Sequence, residues 1–183
     1  MLNRLFGRNR PDVAPVDDVS EITMFGDAAQ EEFVDLEALC ARLGVTLDDQ
    51  PFRPDLNGTL ERRSAGWFIC VNSGLGLHQR RFTIAHEIAH YLMHRDLVAM
   101  RDGPMRVTDD RNHRQMEGLL HNPHILPEHE TQANRMAFQL LMGERKMRRL
   151  MEEGLDAGQI GPLIGMPIRT VEVRLRGLRE PTA

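Results

Sequence analysis

Residues 82–94, FTIAHEIAHYLMH, hold three histidines spaced four apart, with a glutamate directly after the first. On an α-helix, residues four apart share one face about one turn up. His86 and His90 can therefore offer two imidazoles to a single tetrahedral ion. Glu87 is turned about 100° from His86, beside such an ion and free to act on water as a general base. The competing reading is a solvated helix face whose histidines bind nothing. His94 continues the ladder but cannot reach the same ion. Eight residues carry it about 12 Å along the axis from His86, whereas metal–nitrogen bonds are about 2 Å. It is expected behind the site or at the surface.

A third ligand has to come from elsewhere. Glu117, His121, His124, Glu128 and Glu130 are the candidates, and helical spacing separates the last two. Glu130, Asn134, Ala137 and Leu141 follow one another at helical steps and so form one inward-facing line, while Glu128 falls on another side. An inward carboxylate is costly unless a cation satisfies it. Asn134, one turn beyond Glu130, is placed to hydrogen-bond a ligand and fix its orientation.

The elements that must position these groups follow from apolar periodicity. Residues 81–94 read as a helix with Phe82, Ala85, Ala89, Leu92 and Met93 on one face, and residues 128–142 as a second, with Ala133, Met136, Ala137, Leu140 and Leu141 as its stripe. An earlier helix is expected over 28–43 from Phe33, Leu36, Leu39, Cys40 and Leu43, stopped by Gly44. TLDDQPFRPDLNG reads as turns. TLERRSAGWFICVN reads as a hairpin, with strands near 59–63 and 67–71 around a turn at 64–66, and a weak third strand is expected near 75–77. Residues 95–127 are irregular apart from a short helix in RNHRQMEGLL, and residues 144–178 read as short helices. Residues 1–27, with Pro11 and Pro15 and no apolar period, are expected to be a flexible arm.

The chain has 183 residues, 41% hydrophobic and 27% charged, enough for one domain with a core and a small appendage, and unlike a disordered chain. The net charge of -4 is unevenly spread: residues 131–183 hold 9 Lys/Arg against 6 Asp/Glu, so the tail is mildly basic and the rest acidic. That falls short of the basic stripe that would make nucleic-acid binding the first reading. Cys40 and Cys70 lack metal-type spacing and read as buried thiols of a reducing compartment. The N-terminal residues lack the apolar core of a signal peptide, and no apolar run approaches a membrane span, so a cytoplasmic location without membrane contact is expected.

RRFTIAHEIAHYLMH followed by EHETQANRMAFQLLMG resembles the ImmA/IrrE family of zinc metallopeptidases, in which a zincin active-site helix precedes a helix of E-x-x-x-N-x-F-A-x-x-L-L-M-P type. Met136 and Ala137 stand where the family often has Phe-Ala, with Phe138 two places on, and Gly143 replaces the usual proline. The resemblance implies an α+β fold: a zincin-like metallopeptidase core over 28–143, with a small antiparallel sheet packed on the active-site helix, then a C-terminal helical, helix-turn-helix-like subdomain over 144–183. It implies His86, His90 and Glu130 as zinc ligands, Glu87 as catalytic base and Asn134 as the family's asparagine. Two imidazoles and a carboxylate would also accept manganese or iron.

Three protein ligands leave room for water at the metal, and attack on a peptide carbonyl needs a donor for the oxyanion. Tyr91, His113, His121 and His124 are the candidates. WFICVN, residues 67–72, is the expected strand edge for an extended substrate. LIGMPIRTVEVRLRGL looks like the second half of a helix-turn-helix, with Ile168, Val171 and Leu175 inward and Arg169, Arg174, Arg176 and Arg179 available to phosphates. Pro162 and Glu172 argue against DNA binding, so a helical subdomain closing the core is the favoured reading of the tail. The implied activity is zinc-dependent endopeptidase action on a regulatory protein such as a helix-turn-helix repressor, in a stress response or mobile element. The alternative is a non-proteolytic zinc-containing module that binds DNA or a partner protein, including a toxin–antitoxin partner.

Overall fold

The computed structural model describes residues 18–99 and 124–179. These form α1 (Asp18–Ala28), α2 (Leu36–Arg42), β1 (Val45–Gln50), β2 (Gly58–Arg63), β3 (Gly66–Asn72), α3 (Leu77–Ala99), α4 (Pro127–Met142), α5 (Glu144–Glu152), α6 (Ala157–Ile164) and α7 (Ile168–Arg179). The fold is α+β. The short helix expected in RNHRQMEGLL lies outside the described residues.

The sheet is mixed, not antiparallel, in the order β1-β3-β2. β3 pairs antiparallel with β2 through the expected hairpin, but parallel with β1, from Val45 opposite Trp67 to Gln50 opposite Asn72. The third strand is therefore β1, and residues 75–77 form no strand. β1 hides from a sequence reading because Asp48, Asp49 and Gln50 look like turn residues. Here they are satisfied across elements: Arg63 approaches Asp48 at 3.4 Å, and Arg80 binds Asp49 at 3.1 Å. Tertiary ion pairing overrides the weak strand propensity of aspartate. β3 is thereby the central strand, paired on both sides, and cannot be the open edge expected of WFICVN.

The helix expected over 28–43 is shorter: α1 ends at Ala28, residues 29–35 are turns and irregular chain, and only α2, Leu36–Arg42, is helical. Asp35 accepts a hydrogen bond from the Ala38 amide at 2.9 Å and caps α2, which breaks the apolar run at its middle. Phe33 consequently lies between helices, half exposed, with the Arg81 guanidinium stacked 4.0 Å from its ring centroid. Residues 18–27, read as the end of an arm, form most of α1, whose Glu21 is buried and paired with Arg95 of α3.

One face of α3 packs Ile84 and Ile88 toward Leu60, Ile69 and Val71 of the sheet, and another meets α4 through Ala137 and Leu141, all essentially unexposed. Being covered on both sides, α3 buries polar residues as well: His86, Glu87 and His90 are each 0% exposed. The N-terminal turn of α3 also grips the α6–α7 turn. His78 Nδ1 lies 3.0 Å from the Gly165 carbonyl, and Arg81 donates to the carbonyls of Val34 and Ile164. Gly165 has φ +68, and a Cβ there would meet Arg81 Nε at 2.7 Å, so glycine is needed on both counts. α7 buries Val171, Leu175 and Leu178, whereas Ile168, expected inward, is 48% exposed. Both cysteines are free and buried. Among the described residues no helix is long and apolar enough to cross a membrane.

Candidate metal centre

α3 and α4 run antiparallel, and their facing residues make a ladder. Phe82 meets Phe138 with ring centroids 5.1 Å apart. One turn on, His86 Nδ1 lies 3.1 Å from Asn134 Oδ1. A turn further, Glu130 reaches both His86 and His90. Beyond that, His94 Nε2 lies 3.1 Å from Gln132 Oε1. The four-residue spacing on each helix produces the first three rungs directly, since each is one turn; the fourth departs from it, because Gln132 lies between Glu130 and Asn134 and its side chain reaches His94 from there.

The central rungs converge on one point. His86 Nε2 and His90 Nε2 are 3.0 Å apart, His86 Nε2 lies 3.2 Å from one Glu130 oxygen, and His90 Nε2 lies 3.4 Å from the other. A tetrahedral zinc with bonds of about 2.0–2.2 Å separates its ligand atoms by about 3.3–3.5 Å, so the triangle nearly has the edges of such a shell. The ligating atoms of these three residues all lie within 4.8 Å of one another. The chemistry fits as well. Asn134 Oδ1 accepts from His86 Nδ1–H, which leaves His86 Nε2 as a lone pair facing a carboxylate. Such a gathering of acceptors requires positive charge among them, either protons on the rings or a metal. Burial alone would raise the Glu130 pKa; with no cation present the rings carry protons on Nε2, and hydrogen bonds from His86 and His90 with their charge outweigh burial and hold the carboxyl at about 2.

Glu87 stands apart from the triangle, as its position one residue past His86 dictates. Its Cγ lies beside β2, where a Cβ added at Gly58 would come within 3.7 Å of it. Glu128 is exposed on another side of α4, as the helical line through Glu130 implies. His94 does not join the cluster. It is 4% exposed, with Nδ1 3.1 Å from His90 Nδ1 and its ring 4.8 Å from that of His129. Burial, its largest influence, pushes the His94 pKa down to about 4.

Tyr91, considered as an oxyanion donor, is turned away from the triangle. Its hydroxyl lies 3.2 Å from the Leu43 carbonyl and 3.3 Å from Glu21, sharing its one proton between these two acceptors, and its ring packs edge-on against Trp67. The tyrosine lies a quarter turn round α3 from His90, and that face looks toward α1 and the sheet. His124 occupies an exposed turn ahead of α4; His113, His121 and Glu117 lie outside the described residues. Two groups escaped the sequence reading. Gln132 carries no motif, and its place two residues past Glu130 puts it on another side of α4, so nothing in the sequence marked it. Phe82, whose ring centroid is 6.3 Å from that of His86, forms with the 42%-exposed Phe138 an apolar wall beside the triangle.

A family model for peptidase family M78, described as an IrrE N-terminal-like domain, matches residues 40–176. No curated protein matches the chain. Among solved structures the chain is similar to one titled a Mycobacterium tuberculosis transcriptional regulator, at 21% sequence identity and a TM-score of 0.52. The similarity covers 90% of this chain and 48% of that one, so this chain spans about half its length. At that identity the likeness is one of fold.

Proposed function

Because this chain belongs to the family of IrrE N-terminal-like domains, we propose that it is a zinc-dependent endopeptidase with a zincin-like core. Its ligands are His86, His90 and Glu130, its general base is Glu87, and Asn134 orients His86. The observation that carries the reading is the convergence of His86 Nε2, His90 Nε2 and the Glu130 carboxylate, the rings 3.0 Å apart and 3.2 and 3.4 Å from its two oxygens, a donor set of the kind that holds a catalytic zinc. The name of the matched family, a peptidase family, supports the reaction class.

A bound divalent cation would supply Lewis-acid activation of water and of the scissile carbonyl. The residues do the rest. Glu87 takes a proton from the attacking water and delivers it to the departing amine. Its burial, at 0% exposure, keeps bulk water from competing for that proton. β2 is an outer strand among the described strands, and Gly58 brings it against Glu87, so an extended peptide pairing with β2 would pass the base; β3 cannot serve. The substrate we favour is a regulatory protein of the helix-turn-helix repressor type. A regulatory setting suits the solved structure's title, transcriptional regulator.

The second reading, a zinc-containing module that binds DNA or a partner without cleaving it, draws on the exposed Arg169 and Arg176 of α7. Glu87→Gln separates the two, because it preserves the ligand set while removing the base. The zinc-loaded chain is expected to cleave a co-expressed repressor-type protein, and Glu87→Gln to bind zinc normally with cleavage reduced at least about 100-fold. Cleavage unchanged in Glu87→Gln would refute the peptidase mechanism.

A further inference from the structure

His94 is too far along α3 to bind the same cation as His86, yet it is buried and fixed at both ring nitrogens. We infer that Gln132 and His94 form a positioning relay that sets the tautomer of His90, and with it the nitrogen His90 presents to the cation. This rests on the metal-centre reading and extends it to two residues outside the ligand motif.

The direction of the relay follows from the acceptor at its end. The Gln132 Oε1 atom, 3.1 Å from His94 Nε2, only accepts, so His94 carries its proton on Nε2. A neutral imidazole has one ring proton, which makes His94 Nδ1 an acceptor. His90 Nδ1, 3.1 Å away, must then donate. With its proton on Nδ1, His90 turns the Nε2 lone pair toward His86 Nε2 and Glu130, 3.0 and 3.4 Å away. Reversing the relay makes the consequence plain. A His94 protonated on Nδ1 would force His90 to accept there and to carry its proton on Nε2, where it blocks the bond to a cation.

The same device exists in a shorter form on the other ligand, where Asn134 Oδ1 accepts from His86 Nδ1 at 3.1 Å. His90 sits one turn further from Asn134, so His94 bridges the gap and Gln132 takes the amide's role. α4 thus supplies a ligand, Glu130, and the oxygen at the end of each chain of hydrogen bonds, Asn134 and Gln132. Docking α3 against α4 therefore sets ligand position and ligand tautomer together. Outer partners of this kind govern metal affinity because a ligand in the wrong tautomer or tilt must be rearranged before it binds.

The test uses zinc affinity, measured by competition with a chromophoric chelator on the purified full chain, together with ring-nitrogen NMR of the histidines. Gln132→Leu removes the accepting oxygen at similar volume, and Gln132→Glu keeps an accepting oxygen at the same reach. Wild type is expected to bind one zinc, Gln132→Leu and His94→Ala to bind it about 10–100-fold more weakly, and Gln132→Glu at least as tightly as wild type. In zinc-loaded wild type, where His90 Nε2 is taken by the cation, the His90 proton is expected on Nδ1 and the His94 proton on Nε2. Equal weakening by Gln132→Leu and Gln132→Glu would reduce Gln132 to packing and overturn the relay. A His94 proton on Nδ1 in zinc-loaded wild type would overturn it without any variant having to fold. Wild-type zinc binding with unchanged affinity in Gln132→Leu sinks the relay alone, whereas wild type that binds no zinc sinks the metal-centre reading and the relay with it.

Discussion

Gly58 lets the sheet approach α3 closely, and replacing it with alanine tests how tightly β2 is held against Glu87, the proposed general base. A Cβ at this position would lie 2.5 Å from Thr83 Cγ2, 3.1 Å from the Cys70 carbonyl oxygen and 3.7 Å from Glu87 Cγ. The first distance is decisive. Thr83 is 1% exposed and packed on every side, so either χ1 rotamer keeps a heavy atom in the buried contact and the strand or the threonine must shift. Gly58 has no positive φ, so alanine gains about 0.4–1 kcal/mol by restricting the unfolded chain. Overpacking a buried contact costs about 1–3 kcal/mol, so the clash outweighs the gain. Urea denaturation of Gly58→Ala is expected to show net destabilisation of about 1–2 kcal/mol, each kcal/mol lowering Tm by roughly 2–4 °C in a chain of this size. Thr83→Ser supplies the control. It deletes the offending methyl at a cost of about 1 kcal/mol, and in its background Gly58→Ala should become nearly neutral, a coupling of about 1–2 kcal/mol. Strict additivity of the two substitutions would refute the argument. Because His86 and His90 face α4, zinc affinity should be unchanged in Gly58→Ala while cleavage falls.

Two further outcomes bear on residues the fold reassigns. Tyr91→Phe removes the hydroxyl that satisfies the buried Leu43 carbonyl; it should cost about 1–2 kcal/mol in denaturation and leave kcat unchanged, and a large loss of kcat would return Tyr91 to the site. Lys146 is 2% exposed and donates to the carbonyls of Glu31 and Leu140; burial foremost, with Arg81 and Arg149 nearby, lowers its pKa to about 8 from 10.5. The folded protein then binds fewer protons than the unfolded chain between pH 8 and 10.5, so this residue makes stability rise with pH across that window, by up to about 3 kcal/mol. Lys146→Met should flatten that rise in urea titrations at pH 8 and pH 10, and an identical slope in both proteins would refute the assignment.

The parts of this protein legible in its sequence are those set by helical period within one element. His86 and His90 had to share a face, Glu130 and Asn134 had to share a line, and His94 had to fall short of the same ion; each placement needs only the geometry of a single helix. The illegible parts depend on pairing between distant segments. β1 carries two consecutive aspartates, and Gln50 of the strand together with Arg63 and Arg80 from other elements makes them tolerable there. The start of α2 is fixed by one hydrogen bond from the Ala38 amide to Asp35, which no apolar period can reveal. The direction of Tyr91 depends on α1, for which the sequence offered no apolar period. Gln132 was missed for a related reason: its importance lies wholly in facing His94 across the helix pair.

The burial pattern of α3 ties these observations together. An amphipathic surface helix exposes its polar face, but α3 is covered by the sheet on one side and by α4 on another, so His86, Glu87 and His90 are all withdrawn from water within five residues. Burying three titratable groups in one turn is costly unless their partners arrive with the elements that bury them. Here they do. α4 brings Glu130 and Asn134, while β2 closes over Glu87 through a glycine. At the N-terminal end of α3, Arg81 and His78 hold the turn before α7, so the C-terminal helices brace the same helix that carries the triangle. The extent of the family match, continuing to residue 176, accords with that bracing. A tail that only served a separate binding role would have no reason to hydrogen-bond the first two turns of α3. On this reading the centre depends on every layer of the fold, and a substitution at Gly165 or Arg81 should reach it through the helix rather than through any ligand.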